Sequence, residues 1–155
     1  MGILHRLFGR HARDVWRAEA RLLQRFGYVH PPEAVQWIST SVCDLHCPHC
    51  YSNAGKKSAG ELSTAEAKAL IVDEMVRLNR PTLVVAGGET LLRKDFPEVI
   101  AYAHRRGVPW AIHTHGGRVE EFLDTFVKHP PVLAAISLDG GESICRRISS
   151  SRRGN

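Results

Sequence analysis

Apolar and polar positions change period several times along the chain. Over residues 10–26, Val15, Trp16, Leu22, Leu23 and Phe26 recur on one face, and Arg13, Arg17, Arg21 and Arg25 recur on another. That pattern predicts a basic amphipathic helix. Such a helix can lie on a membrane surface, but a helix packed through its apolar face with solvated arginines is the simpler reading. Pro31 and Pro32 then break the chain, and Val35–Val42 reads as a strand. Ser63 and Glu66 have the spacing of a capping box and open a helix whose inward face is Ala67, Leu70, Ile71, Met75 and Leu78. Pro81 ends it. Thr82–Ala86 is a short apolar strand running into Gly87-Gly88-Glu89. Asp95 is placed to cap a second helix, with Phe96, Val99, Ile100 and Ala103 inward and Gly107 at its end. Pro109–Thr114 is a third strand. Val119–Lys128 is a third helix, with Val119, Phe122, Leu123 and Phe126 inward, and Val132–Leu138 is a fourth strand.

Strands thus alternate with helices through short links. This order predicts an α/β fold of parallel strands joined by right-handed crossovers. The strands are apolar throughout, as parallel strands buried on both faces are. Each strand ends, at its C-terminal side, in a polar or glycine-rich cluster: the cysteine loop, Gly87-Gly88-Glu89, Thr114-His115-Gly116 and Ser137-Leu138-Asp139-Gly140. Parallel α/β folds bind ligands at that edge. Ser137 and Asp139 sit two apart in an extended chain, so they point to one side, and both side chains can bond a hydroxyl.

The chemistry concentrates in Cys43-Asp44-Leu45-His46-Cys47-Pro48-His49-Cys50. Three thiolates within eight residues can converge on one metal centre. On a cubane of four irons they would leave one iron open, and an open iron can bind a small molecule directly. Two other readings use the same residues. Three cysteines with His46 or His49 could hold zinc, although structural zinc sites favour two separated ligand pairs. Cys47-Pro48-His49-Cys50 also matches the C-x-x-C pattern of thiol–disulfide oxidoreductases, which has no use for Cys43. A third class of function is an interaction module that docks on a partner. Cys145, the fourth cysteine, stands too far along the chain to join the loop and reads as an incidental thiol. His104 and His113 read as ordinary core or surface histidines.

The C-x3-C-x2-C loop after a first strand resembles the signature of the radical S-adenosylmethionine (SAM) superfamily, and the later motifs fall where that family has them. The resemblance spans about residues 33–142 and is closest to the branch of peptide-modifying and cofactor-building enzymes. It implies that Cys43, Cys47 and Cys50 hold three irons of a 4Fe–4S cluster, with the fourth iron chelated by SAM. Reductive cleavage of SAM would yield a 5′-deoxyadenosyl radical that takes hydrogen from a substrate, such as a peptide or cofactor precursor. An electron donor such as flavodoxin or ferredoxin is implied with it. His49 would lie near the adenine, Gly87, Gly88 and Glu89 would hold the amino group of SAM, and Ser137 and Asp139 would meet the ribose. Tyr51 follows the third cysteine as in many members. Two positions depart from the usual pattern: Thr90 stands where Gly-Gly-Glu is commonly followed by Pro, and His115 stands where Thr-Asn-Gly is common.

The family's partial (β/α) TIM-type barrel usually has six strands and further domains. This chain of 155 residues supplies four strands and an N-terminal helix. We therefore expect a partial barrel over 31–141, preceded by a basic helical segment over 1–30 and followed by a disordered basic tail over 142–155. A truncated or split enzyme is the corresponding expectation. The fourth strand would be an open apolar edge that a partner chain or self-association completes. Charge adds little to this. The net +5 comes from the ends, with six arginines against Asp14 and Glu19 in 1–30 and four against Glu142 in 141–155, so it does not point to nucleic acid. No apolar run reaches the roughly 18 residues of a membrane span, and the opening residues lack a signal-peptide core. With no sign of disulfide usage, these features predict a cytoplasmic protein.

Overall fold

The computed structural model describes residues 32–141, together with residues 21, 23–25 and 27. The chain divides into two units, Met1–Pro32 and Glu33–Asn155. In the first, residues 21 and 23–25 are helical and the Gly27 amide donates to the Leu23 carbonyl. The rest of the expected N-terminal helix, and the tail 142–155, lie outside the described residues.

The second unit is built on four strands, β1 (Ala34–Thr40), β2 (Thr82–Gly87), β3 (Trp110–Thr114) and β4 (Leu133–Ile136). They form one sheet in sequence order, every pair parallel. Helices α1 (residues 64–77), α2 (Phe96–Arg105) and α3 (Leu123–Lys128) make the crossovers. The order strand, helix, strand is the one the hydrophobic pattern predicts, and it is part of a (β/α) barrel. Trp37, Val85 and Ile112 occupy one register line across the sheet. They join Ala67, Val72 and Met75 of α1 and Phe96, Val99, Ile100 and Ala103 of α2 in a single core cluster. Phe96 packs edge-on against both Trp110 and Phe122, centroids 5.9 and 5.6 Å apart. Each such pair adds about 0.5–1.5 kcal/mol to plain burial.

Three expectations change. First, α1 is not a regular helix. It is α-helical at Thr64–Glu66, π-helical over Ala67–Val72 and α-helical again at Asp73–Arg77. The wider turn steps the buried face from Ala67 to Val72 and swings Leu70 outward, leaving it 56% exposed. The capping box of Ser63 and Glu66 is present in full. Second, Asp95 precedes α2 but its side chain caps nothing. Its carboxylate is taken by Arg93 and Thr64 instead. Third, Leu123 is half exposed, because a 3-10 turn at Val119–Phe122 precedes α3 and changes the phase. β1 and β4 are the two edge strands of the sheet, and on β4 Leu133 and Ile136 are about half exposed, as on an apolar strand without an outer neighbour.

Arg93 ties the layers together. Its guanidinium donates to the carbonyls of Ser39 and Leu62 and forks onto both oxygens of Asp95, while it lies 5.1 Å over the Trp37 ring. All this binds β1, the segment after the cysteine loop and the segment after β2 at the end of the sheet that carries the site.

Candidate functional site

The register between β1 and β2 slips after Ile38, so Thr40 rather than Ser39 stands opposite Gly87. The Ser39 hydroxyl is instead bonded to the Thr90 hydroxyl at 2.7 Å, both fully buried. This gives Thr90, the departure from Gly-Gly-Glu-Pro, a packing role. The chain then leaves β1 as a closed loop. Gly55 donates to the Ser41 carbonyl at 2.7 Å, and the Glu61 carboxylate accepts from the Ser41 amide, the Ser58 amide and the Thr40 hydroxyl. Burial pushes the Glu61 carboxyl up, but these bonds and the nearby Lys57 charge prevail and hold it below the usual range. Inside this clamp the cysteines follow, with Cys50 donating its amide to the Cys47 carbonyl.

The three thiols are free and partly exposed. Their environments differ. Burial raises the Cys43 thiol, with Asp44 and Glu89 adding to the rise against one amide bond from Leu45. The Ser52 hydroxyl and the amides of Ala54, Ser52 and Asn53 lower the Cys50 thiol.

The Gly-Gly-Glu turn abuts this loop. Gly88 donates to the Thr40 carbonyl and Glu89 to the Val42 carbonyl. A Cβ on Gly87 would stand 2.3 Å from the Thr40 oxygen, and one on Gly88 would stand 2.2 Å from the Val42 oxygen. Gly87 also holds φ +152°. The glycines are thus required by the chain's own backbone, whereas the sequence suggested close approach of a ligand. Glu89 is fully buried. Its carboxylate accepts from the Thr114 hydroxyl at 2.8 Å, the His115 amide at 3.0 Å and the Leu91 amide at 3.0 Å.

A cleft of about 290 Å³ gathers Cys43, Cys47, His49 and Cys50 from the loop, Gly87 and Gly88 from the turn, and Ser137 and Asp139 from the end of β4. Thr114 and His115 line it from β3. Every site residue expected from the sequence is therefore on one surface except Glu89, which lies beneath it. Ser137 and Asp139 both line the cleft, and Asp139 faces His49 at 3.5 Å. A larger cleft of about 460 Å³ lies between residues 57–64 and 92–95. Its carboxylates, Glu61 and Asp95, are spent on internal bonds, and it holds no thiol, so the smaller cleft is the candidate site.

The donor set tests which metal group fits. Ligands of one zinc ion at Zn–S distances of about 2.3 Å stand within about 4 Å of one another. Among the described residues, the three potential ligands whose donor atoms fall within 4.8 Å of one another are Cys43, Asp44 and His115. The three cysteine sulfurs do not draw that close, which suits thiolates that each hold a separate iron better than thiolates sharing one ion. Sequence reasoning left two features unread. One is the bridge His115 makes between Asp44 and Glu89, and the other is the bolt formed by Arg93. Only the replacement of Asn by His at position 115 signalled the first.

Comparison with known proteins agrees with this geometry. The Radical SAM superfamily pattern matches residues 37–155. The chain is 37% identical over 133 residues to the Fe-coproporphyrin III synthase of Methanosarcina barkeri, covering 84% of this chain and 33% of that protein. It is 35% identical over 125 residues to the mycofactocin maturase MftC of Mycobacterium ulcerans, covering 79% of this chain and 34% of that protein. The fold superposes on SuiB of Streptococcus suis, solved bound to S-adenosylmethionine, with a TM-score of 0.72 at 14% identity over 88% of this chain and 32% of that one. The chain thus spans about a third of the length of the relatives it matches. Members of the superfamily use a 4Fe–4S cluster and SAM. On its cysteine loop, its parallel sheet and these matches, the chain belongs to the radical SAM superfamily.

Proposed function

We propose that the cleft is the cluster- and SAM-binding site of a radical SAM enzyme, and that residues 31–141 are the part of the enzyme that carries it. The observation that supports this most directly is the meeting of Cys43, Cys47 and Cys50 with Gly87, Gly88, Ser137 and Asp139 around one cleft. Cys43, Cys47 and Cys50 would each hold one iron of a 4Fe–4S cluster and leave the fourth iron to the amino and carboxylate groups of SAM. Bound there, the cluster would supply the one electron that splits SAM into methionine and a 5′-deoxyadenosyl radical for hydrogen abstraction from substrate. The backbone of Gly87 and Gly88, which lines the cleft, would receive the methionine end of SAM. Ser137 and Asp139 would bond the ribose hydroxyls, and His49 would flank the adenine. Glu89 would act from below, through the Thr114 hydroxyl and the His115 amide, by holding the cleft floor in place.

The substrate class we favour is a peptide or a cofactor precursor, because the relatives are a mycofactocin maturase and an Fe-coproporphyrin III synthase. A flavodoxin- or ferredoxin-type donor would supply the electron, and a cytoplasmic setting would keep the thiols reduced. Among the described residues no helix is long and apolar enough to cross a membrane. The open edge of β4 would take further strands, from a partner chain or a second copy.

Anaerobic reconstitution with iron and sulfide tests the proposal. About four irons per chain, a brown chromophore and an EPR signal on reduction are expected, followed by 5′-deoxyadenosine when SAM and reductant are added. Stoichiometric zinc in place of iron, or a reversible Cys47–Cys50 disulfide as the only redox chemistry, overturns it.

A further inference from the structure

Asp44 leaves the cysteine loop next to Cys43 and is about half exposed. Glu89 is sealed beneath the cleft. Two carboxylates this near a thiol would repel one another and loosen the loop unless something stood between them. His115 stands there. Its Nε2 lies 2.9 Å from Asp44 Oδ1 and 3.2 Å from Glu89 Oε2.

Its other nitrogen sets the tautomer. The Gly117 amide donates to Nδ1 at 3.1 Å, so Nδ1 is an acceptor and the ring proton sits on Nε2. Nε2–H then donates to Asp44, while Glu89 stands 3.2 Å from the same nitrogen. Gly117 makes this geometry available: a Cβ there would stand 2.9 Å from the ring carbon Cε1. The His115 amide donates to Glu89 at 3.0 Å, so the residue holds the buried carboxylate through its backbone and Asp44 through its ring. The link from Asp44 to His115 joins positions 71 residues apart.

We propose that His115 is the positioning residue of the cysteine loop, a latch whose ring bonds Asp44 while its amide bonds the buried Glu89, and so fixes the loop on the ends of β2 and β3. The latch exists in the protein's own side chains, and only its consequence for cluster binding rests on the function proposed above. The same three groups that could chelate an ion, Cys43, Asp44 and His115, are here engaged differently, since a nitrogen that carries a proton offers no lone pair to a metal.

The test is hydrogen exchange of the full chain, reduced and free of metal, with peptides covering residues 41–55. His115→Phe removes the donor and keeps a ring. Asp44→Ala, on the exposed side, disturbs little else. Each should speed exchange of the loop amides about tenfold, the scale of one charge-assisted bond. The double variant should exchange no faster than the quicker single one, because both cut the same link. His115→Gln, which restores an N–H, should recover most of the protection. Unchanged exchange in a folded Asp44→Ala protein, or additive effects, overturns the latch. So does uptake of one cobalt(II) ion by the wild type that is lost in both Asp44→Ala and His115→Phe, since the three residues would then be ligands. Iron content after reconstitution separates the two proposals. A wild type that binds no cluster but shows the exchange pattern keeps the latch and loses the function, and a wild type that binds its cluster while the variants exchange normally does the reverse.

Discussion

His49 of the cysteine loop and Asp139 beyond β4 face each other across the cleft, Nε2 to Oδ2 at 3.5 Å. They are 90 positions apart in the chain, and the sheet brings them together because their segments leave the same edge of it. The pair divides the cleft between its metal-binding side and its β4 side. If Asp139 meets the ribose, Asp139→Ala should weaken SAM binding to the reconstituted protein about tenfold, or about 1.4 kcal/mol, and leave the iron content unchanged. Isothermal titration calorimetry with parallel iron analysis decides this. Cys43→Ala, Cys47→Ala and Cys50→Ala should each do the opposite and abolish iron binding.

The unequal thiols can be read chemically in the reduced, metal-free protein. Thiolate is the reactive form, so the lowered Cys50 should alkylate before the raised Cys43 near neutral pH. Brief iodoacetamide treatment followed by peptide mass spectrometry gives the order. Ser52→Ala should slow Cys50 in particular, because the Ser52 hydroxyl is the largest influence lowering that thiol. Equal rates at Cys43 and Cys50 would contradict the hydrogen bonding described for the loop.

Gly87→Ala and Gly88→Ala should be destabilising before any question of ligand arises. In each case the new methyl meets a backbone oxygen, which cannot rotate away as a side chain would. A loss of about 2 kcal/mol or more is expected in urea unfolding. If either variant keeps full stability and fails only in SAM binding, the glycines serve the ligand and not the chain.

Asp95 gives a pH dependence whose sign is fixed. Burial raises its carboxyl, but the bonds from Arg93 and Thr64 and the Arg93 charge prevail and hold it below the ordinary range. A carboxyl depressed in the folded state contributes stability that is complete above its unfolded value, about 3.9, and is lost as pH falls through the lower folded value. Asp95→Asn should therefore cost about 1–3 kcal/mol at pH 7, in part because Arg93, only 9% exposed, loses its charged partner. The difference from wild type should shrink below about pH 4. Urea titrations across that range would show it, and a constant difference would mean that the charge of Asp95 contributes nothing.

Local signals carried much of this protein. The alternation of strands and helices, the capping box at Ser63, the inward face Phe96, Val99, Ile100 and Ala103, and the three-cysteine loop all follow from spacing and turn chemistry among near neighbours. Ser137-x-Asp139 could be placed at a strand end for the same reason. The partners of single polar groups were a different matter. Asp95 has the sequence of a helix cap, yet Arg93 and Thr64 claim it. Glu89 has the sequence of a ligand-facing carboxylate, yet it is buried and takes its bond from Thr114, 25 positions on. Leu70 fits a regular helix face, and a π-turn rotates it away. Periodicity and capping act over one or two turns of chain, so the sequence by itself determined the elements, their order and the loop that carries the thiols. Only the tertiary structure decided where Glu89, Asp95 and His115 spend their hydrogen bonds, because each bond joins segments that meet only when parallel strands align their ends.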